Sequence, residues 1–226
     1  MKYKLQIPFI LLFWIVVAAD LIGIASNTPY LHFIAKPLLI PVLILLLVFS
    51  KTSVPGKSLL LTGLFFSWLG DMFLLFENKN PQFFILGLIC FLTTHIFYIF
   101  YFLKIKTANT SLLKIQPWLF LLIIGYGATL VWLLYPYLGD LKIPVMVYAA
   151  VICSMLLCSL HIFLKVNKPA NLFYLVGAVF FVLSDSLLAI NKFYQPFAFA
   201  GVFIMLTYCA AQYFIVTGFI KQLPYE

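Results

Sequence analysis

Two stretches of this chain place the same chemical group in the same setting. Residues 63–76 read GLFFSWLGDMFLLF and residues 177–190 read GAVFFVLSDSLLAI, so Asp71 and Asp185 each lie well inside an apolar run, 114 residues apart. With Asp71 laid on Asp185, Gly63 falls on Gly177, Phe66 on Phe180, Leu69 on Leu183 and Leu74 on Leu188. A charge in hydrocarbon costs roughly 2.5–3.5 kcal/mol on insertion scales, so a carboxyl there is retained for a partner or for a function. The chemistry open to two such carboxyls is proton handling: general acid/base work on a bound molecule, or a proton relay.

Few other polar residues are available to support them. Asp20 and Lys36 stand at mirrored distances from a turn near Thr28, which predicts a facing ion pair, either structural or functional. His95 and Tyr98 lie one turn apart in a single apolar run, and Gln212 in the last one. A core histidine bonded to a carbonyl is the plain alternative for His95, and interhelical hydrogen bonding the plain alternative for Tyr98 and Gln212. His32 reads as an outer-loop residue and His161 as an interfacial one. There is no Gly-x-Ser-x-Gly elbow, no His-Glu-x-x-His and no glycine-rich phosphate loop. Three histidines at three predicted depths argue against a three-His zinc site, and no metal is expected. Four cysteines inside apolar runs, with no Cys-x-x-Cys, argue against a disulfide framework.

The elements that must position these groups follow from composition. The chain has 226 residues, 65% hydrophobic and 9% charged, with a mean hydropathy of +1.14. That balance defines an all-α polytopic membrane protein with a single transmembrane domain over residues 1–226. The net charge of +8 comes from lysines near span ends, which speaks for lipid headgroups and topology and against nucleic acid. Runs of about 20 apolar residues give eight spans, near 5–24, 33–50, 57–76, 83–103, 115–135, 142–164, 171–191 and 197–219. The first run is too long for the apolar region of a signal peptide and reads as a retained span, with Ala25 the alternative cleavage point.

Lysine placement sets orientation. Lys2, Lys4, Lys51, Lys57, Lys104, Lys106, Lys114, Lys165, Lys168 and Lys221 fall on one side; Lys36, Lys79, Lys142 and Lys192 fall on the other. The richer side is cytoplasmic, which puts both termini inside and suits a bacterial inner (cytoplasmic) membrane. At ~1.5 Å per residue, both aspartates then sit at one depth, about fourteen residues from their span starts. Gly87, Leu92 and Thr93 match Gly201, Leu206 and Thr207 at the same offset of 114, which predicts two parallel four-helix repeats.

Taken together, these residues resemble the YhhN family of membrane proteins. The resemblance is carried by Lys36-Pro37, by Ser67, Gly70, Asp71 and Leu74, and by Gly87, Phe91, His95 and Tyr98. It continues through Gly177, Phe181, Ser184, Asp185, Leu188, Ala189 and Phe193 to Tyr208, Ala211 and Gln212. It implies a lysoplasmalogenase-like hydrolase, needing no cofactor, that cleaves the vinyl ether of a lysophospholipid entering from the bilayer. The products would be a fatty aldehyde and a glycerophospho-alcohol. Such chemistry needs a proton donor and a carboxylate facing an oxocarbenium ion, the division of labour that glycosidases use. Two aspartates sharing a low-dielectric site cannot easily both ionise, which leaves one to serve as the acid. On this reading Asp71 and Asp185 are the catalytic pair. Lys36 holds a carboxylate ionised or binds the substrate phosphate, while His95, Tyr98 and Gln212 orient water or glycerol hydroxyls. Ser67, Ser184 and Asp20 support. The rival expectations are a proton-coupled transporter, against which stands the absence of proline from spans three and seven, and a non-catalytic lipid-binding protein.

Overall fold

The computed structural model describes residues 6–50, 52, 54–107 and 109–224. The expectations resting on Lys2, Lys4, Leu5 and Lys51 lie outside them. Among the described residues the chain forms α1 (Gln6–Ala25), α2 (Pro29–Phe49), α3 (Lys57–Leu75), α4 (Pro81–Lys104), α5 (Leu112–Ile115), α6 (Trp118–Leu134), α7 (Lys142–Ile162), α8 (Ala170–Ala189) and α9 (Ala200–Lys221). All but α5 belong to segments long and apolar enough to cross a bilayer, eight spans in all. The chain is an integral membrane protein built of helices.

The span edges differ from expectation where proline or a polar cap intervenes. The second span starts at Pro29 rather than near 33, because proline suits the first turn of a helix, where its missing N–H costs nothing. His32 is thereby helical and not in a loop. The fifth span begins at Trp118 rather than near 115, because Gln116 and Pro117 separate it from the short helix α5. Before the break lies α5, whose Leu113 N–H is capped by Ser111 Oγ at 3.2 Å; after it α6 begins at Trp118. The seventh ends in a π-helical turn, Ile190–Tyr194, and the eighth begins at Ala200 after Phe199 adopts a φ of 57°. Asn191 Oδ1 accepts the Phe197 N–H across that connection at 3.4 Å.

Two compact units meet in sequence between Phe97 and Tyr98. In the first, α1 packs on α2 and α2 on α3. Helices in lipid gain little from hydrophobicity and associate through close packing, so small residues mark the contacts. A Cβ on Gly23 would lie 2.7 Å from the His32 backbone nitrogen, which is how closely α2 begins against α1. A Cβ on Gly70 would meet Phe91 at 2.9 Å, and one on Gly87 would meet Leu74 at 2.9 Å, locking α3 to the first half of α4. Pro41 within α2 has no N–H for the carbonyl of Pro37, and Trp68 of α3 supplies one, Nε1 to O at 3.0 Å. Lys57 Nζ donates to Val48 O and Ser50 O at 2.9 and 3.1 Å, closing the exposed C-terminus of α2.

In the second unit α8 and α9 form the most extensive helix pair. A Cβ on Gly177 would strike Ile215 at 2.8 Å, and Phe180 stacks on Phe214 at 5.9 Å. Leu134, Leu138 and Val145 make a small buried cluster with Ala189 and Phe193 at one end of α6, α7 and α8. At the other end, Tyr101 and Tyr174 both donate to Gln222 Oε1 at 2.7 Å, and Asn167 holds Lys221 O and Leu223 N. Each unit thus tethers its aspartate helix. The buried faces of those helices correspond: Leu60, Leu64, Ser67 and Asp71 on α3, and Tyr174, Ala178 and Phe181 on α8, the latter leading to Asp185 at the same offset.

Candidate active site

In the first unit, Asp71 is buried near the C-terminal end of α3, on one stripe with Ser67, which is fully buried one turn earlier. The glycine beside it, Gly70, admits the ring of Phe91 from α4. His95, one turn further along α4, is fully buried, and Thr94 Oγ1 lies 3.0 Å from Gly63 O, which sets the depth of this part of α4 against α3.

The expected Asp20–Lys36 ion pair is not formed. Asp20 Oδ1 instead lies 2.7 Å from His32 Nδ1, and it is fully buried. The cause is local. Gly23 lets the first turn of α2 press against α1, and Asp20, three residues earlier on the same face, falls within reach of the His32 ring. Lys36 is one turn deeper on α2. It is 7% exposed and has no hydrogen-bond or ion-pair partner among the described residues. Asp20 Oδ2 is buried and likewise lacks a hydrogen bond there.

In the second unit, Asp185 is half-buried on α8 and accepts a hydrogen bond from Tyr148 Oη of α7 at 2.6 Å. The next residue, Ser186, accepts one from Tyr126 Oη of α6 at 2.7 Å and donates to Val182 O. Between these helices lies a small, partly open recess whose apolar wall includes Leu130, Leu134, Val145, Ile152 and Val182. Asp185, Tyr148, Ser186 and Tyr126 also line it, and the surface they show to it is almost wholly apolar. Gly127 and Cys153 face one another in the same wall, where a Cβ on the glycine would stand 2.7 Å from sulfur. Elsewhere in this unit Tyr98 Oη donates to Gln212 Oε1 at 2.6 Å, both fully buried, and Tyr98 meets Phe181 edge-on. Ser184 is bonded to Ile204 O at 3.0 Å and joins α8 to α9.

The residues expected at the site thus fall into two groups. Asp20, Lys36, Ser67, Asp71 and His95 belong to the first unit; Tyr98, Ser184, Asp185 and Gln212 belong to the second. Tyr148, Tyr126, Ser186 and His32 were not anticipated. For Tyr148 a signal existed: it and Asp185 lie at nearly equal sequence distances from Asn167, the middle of their connection, as antiparallel neighbours do. Among the described residues no three of His, Cys, Asp and Glu are grouped as a metal ligand set.

The sequence matches the YhhN family over residues 31–219. It is 30% identical over 175 residues to lysoplasmalogenase TMEM86A of Homo sapiens, covering 74% of this chain and 68% of that protein. The Bos taurus TMEM86A matches with 30% identity over 173 residues and the same coverage. Human lysoplasmalogenase TMEM86B is 32% identical over 169 residues, 74% of this chain and 66% of that one. No solved structure matches the chain significantly.

Proposed function

This chain belongs to the YhhN family, and from that premise we propose that it hydrolyses the vinyl ether bond of a lysoplasmalogen, with Asp71 and Asp185 as the acid/base pair. The observation that carries the reading is Asp185: a carboxyl held by Tyr148 in the wall of an otherwise apolar recess among membrane-spanning helices. Such a recess offers an apolar seat to the vinyl-ether end of an alkenyl chain, with a carboxyl-bearing helix beside it.

One carboxyl delivers a proton to the β-carbon of the vinyl ether, and the ether oxygen's lone pair shares the resulting positive charge as an oxocarbenium ion. The other carboxylate faces that cation and takes a proton from the water that adds to it, as in glycoside hydrolysis. The hemiacetal so formed collapses to a fatty aldehyde and a glycerophospho-alcohol. Tyr148 fixes the Asp185 carboxyl, while Tyr98 and Gln212 are held to each other and can present one polar edge to the glycerol hydroxyl or to water. The proposed seat is the cytoplasmic membrane, with both termini on its inner side, which the lysine bias supports. Helices α3 and α8 carry no proline, so the transporter alternative gains nothing from them.

The test is aldehyde release from a lysoplasmalogen by the purified protein in D2O, trapped at once by reduction. The expected product carries one deuterium on the carbon next to the former carbonyl, placed there by the acid. Aldehyde without that deuterium would exclude protonation at carbon, and no aldehyde at all would exclude the reaction.

A further inference from the structure

Resting on that lysolipid reading, we infer that Lys36, with which neither oxygen of Asp20 pairs, is the anchor for the substrate's phosphate. A basic side chain taken out of water is costly unless an opposite charge meets it. Lys36 is more than nine-tenths buried on the inner face of α2, among Ala35, Leu39, Ile40 and Leu43, and no acceptor is within reach among the described residues. The side chain's stem is enclosed, and its Nζ keeps a small accessible surface with no protein acceptor on it among the described residues, open to a bound anion. Asp20 does not meet it: Oδ1 bonds to His32 at 2.7 Å, and Oδ2 is buried with no hydrogen bond among the described residues. Among the described residues, the first unit thus supplies no counter-charge to this ammonium.

Its position agrees with the proposed substrate. The bond from Trp68 Nε1 to Pro37 O pins the residue next to Lys36 against α3, one turn from Asp71. Lys36 and Asp71 therefore sit on the buried faces of packed helices at similar depth. In a lysoplasmalogen only the glycerol carbons separate the vinyl ether oxygen from the phosphate oxygens. A site that holds the ether near a carboxyl of α3 must meet the phosphate close by, and a lysine is a point charge suited to it. The same chemistry would accept a free phosphate, so the source needs its own test arm.

Binding of non-cleavable analogues to the purified protein in maltoside micelles, which contain no phosphate, tests this without relying on turnover. The probes are a 1-alkyl lysophospholipid, the matching 1-alkyl glycerol and inorganic phosphate. The unsubstituted protein should bind the alkyl lysophospholipid at least about tenfold tighter than the alkyl glycerol, the scale of one charged hydrogen bond. Lys36→Met should bring the two affinities together with the alkyl glycerol affinity unchanged, which also shows that the variant is folded. Lys36→Arg should keep the preference. Equal affinities in the unsubstituted protein, or a preference that survives Lys36→Met, would overturn the anchor. Displacement of the alkyl lysophospholipid by equimolar inorganic phosphate would overturn the lipid as the anion's source. If the analogue is bound with the expected preference while lysoplasmalogen yields no aldehyde, the anchor stands and the hydrolase reading falls.

Discussion

A carboxyl is a useful catalyst only if its oxygens are held where the reacting bond will be, and at Asp185 the holding group is a tyrosine. Tyr148 Oη lies 2.6 Å from Oδ2 and stands at the edge of the same recess. It positions the aspartate and is not itself assigned to bond breaking. A hydrogen bond to a charged group contributes about 1.5–3 kcal/mol, so Tyr148→Phe should lower kcat roughly 10–100-fold. KM should stay unchanged, since the ring that lines the recess remains. A rise in KM at constant kcat would make Tyr148 a packing residue and nothing more. Asp71 and Asp185 were legible in the sequence because a carboxyl inside an apolar run stands out. Tyr148 was not, because aromatic residues are common in membrane helices and its role depends on which helix lies opposite. His32 was misplaced for a related reason: its assignment to a loop rested on an edge that Pro29 moved by one turn.

At the level of helices, the clearest dependence of one element on another is the proline-rich start of α2. Pro41 leaves the Pro37 carbonyl without its helical donor, and Trp68 of α3 fills the place. Removing that donor exposes a buried carbonyl, so Trp68→Phe should destabilise the protein by about 1–3 kcal/mol in reversible denaturation in mixed micelles. Pro41→Ala restores an N–H inside the helix. In that background the same tryptophan substitution should cost less than half as much, since the carbonyl no longer needs an outside donor. Equal costs in both backgrounds would show that Trp68 acts through ring packing alone. The eight spans themselves could be read from hydropathy, because a bilayer leaves the backbone few choices. Their ends could not, since Pro117 delays the start of the fifth, and the seventh ends in a π-turn closed by the Gln195 N–H on Ile190 O rather than at the limit of its apolar length.

For the molecule as a whole, the sequence offset of 114 recurs in the burial of α3 and α8, each taken by itself, up to the aspartates, where Asp71 is buried and Asp185 half-buried. Family and class were legible because polar residues are scarce in such a chain, and those that remain are conspicuous. The division of the supporting residues was less so: Asp20 and Lys36 serve the first unit separately, and a pattern of charges alone reads as a pair. In the proposed reaction Asp71 and Asp185 act as one catalytic unit. Aldehyde release from a lysoplasmalogen by Asp71→Asn, Asp185→Asn and the doubly substituted protein tests it most directly. Residues that act together lose their effect together, so each single variant should fall by about 10²–10⁴-fold and the double variant should fall no further. Either single variant turning over at the unsubstituted rate, while still folded in the membrane, would contradict the pairing.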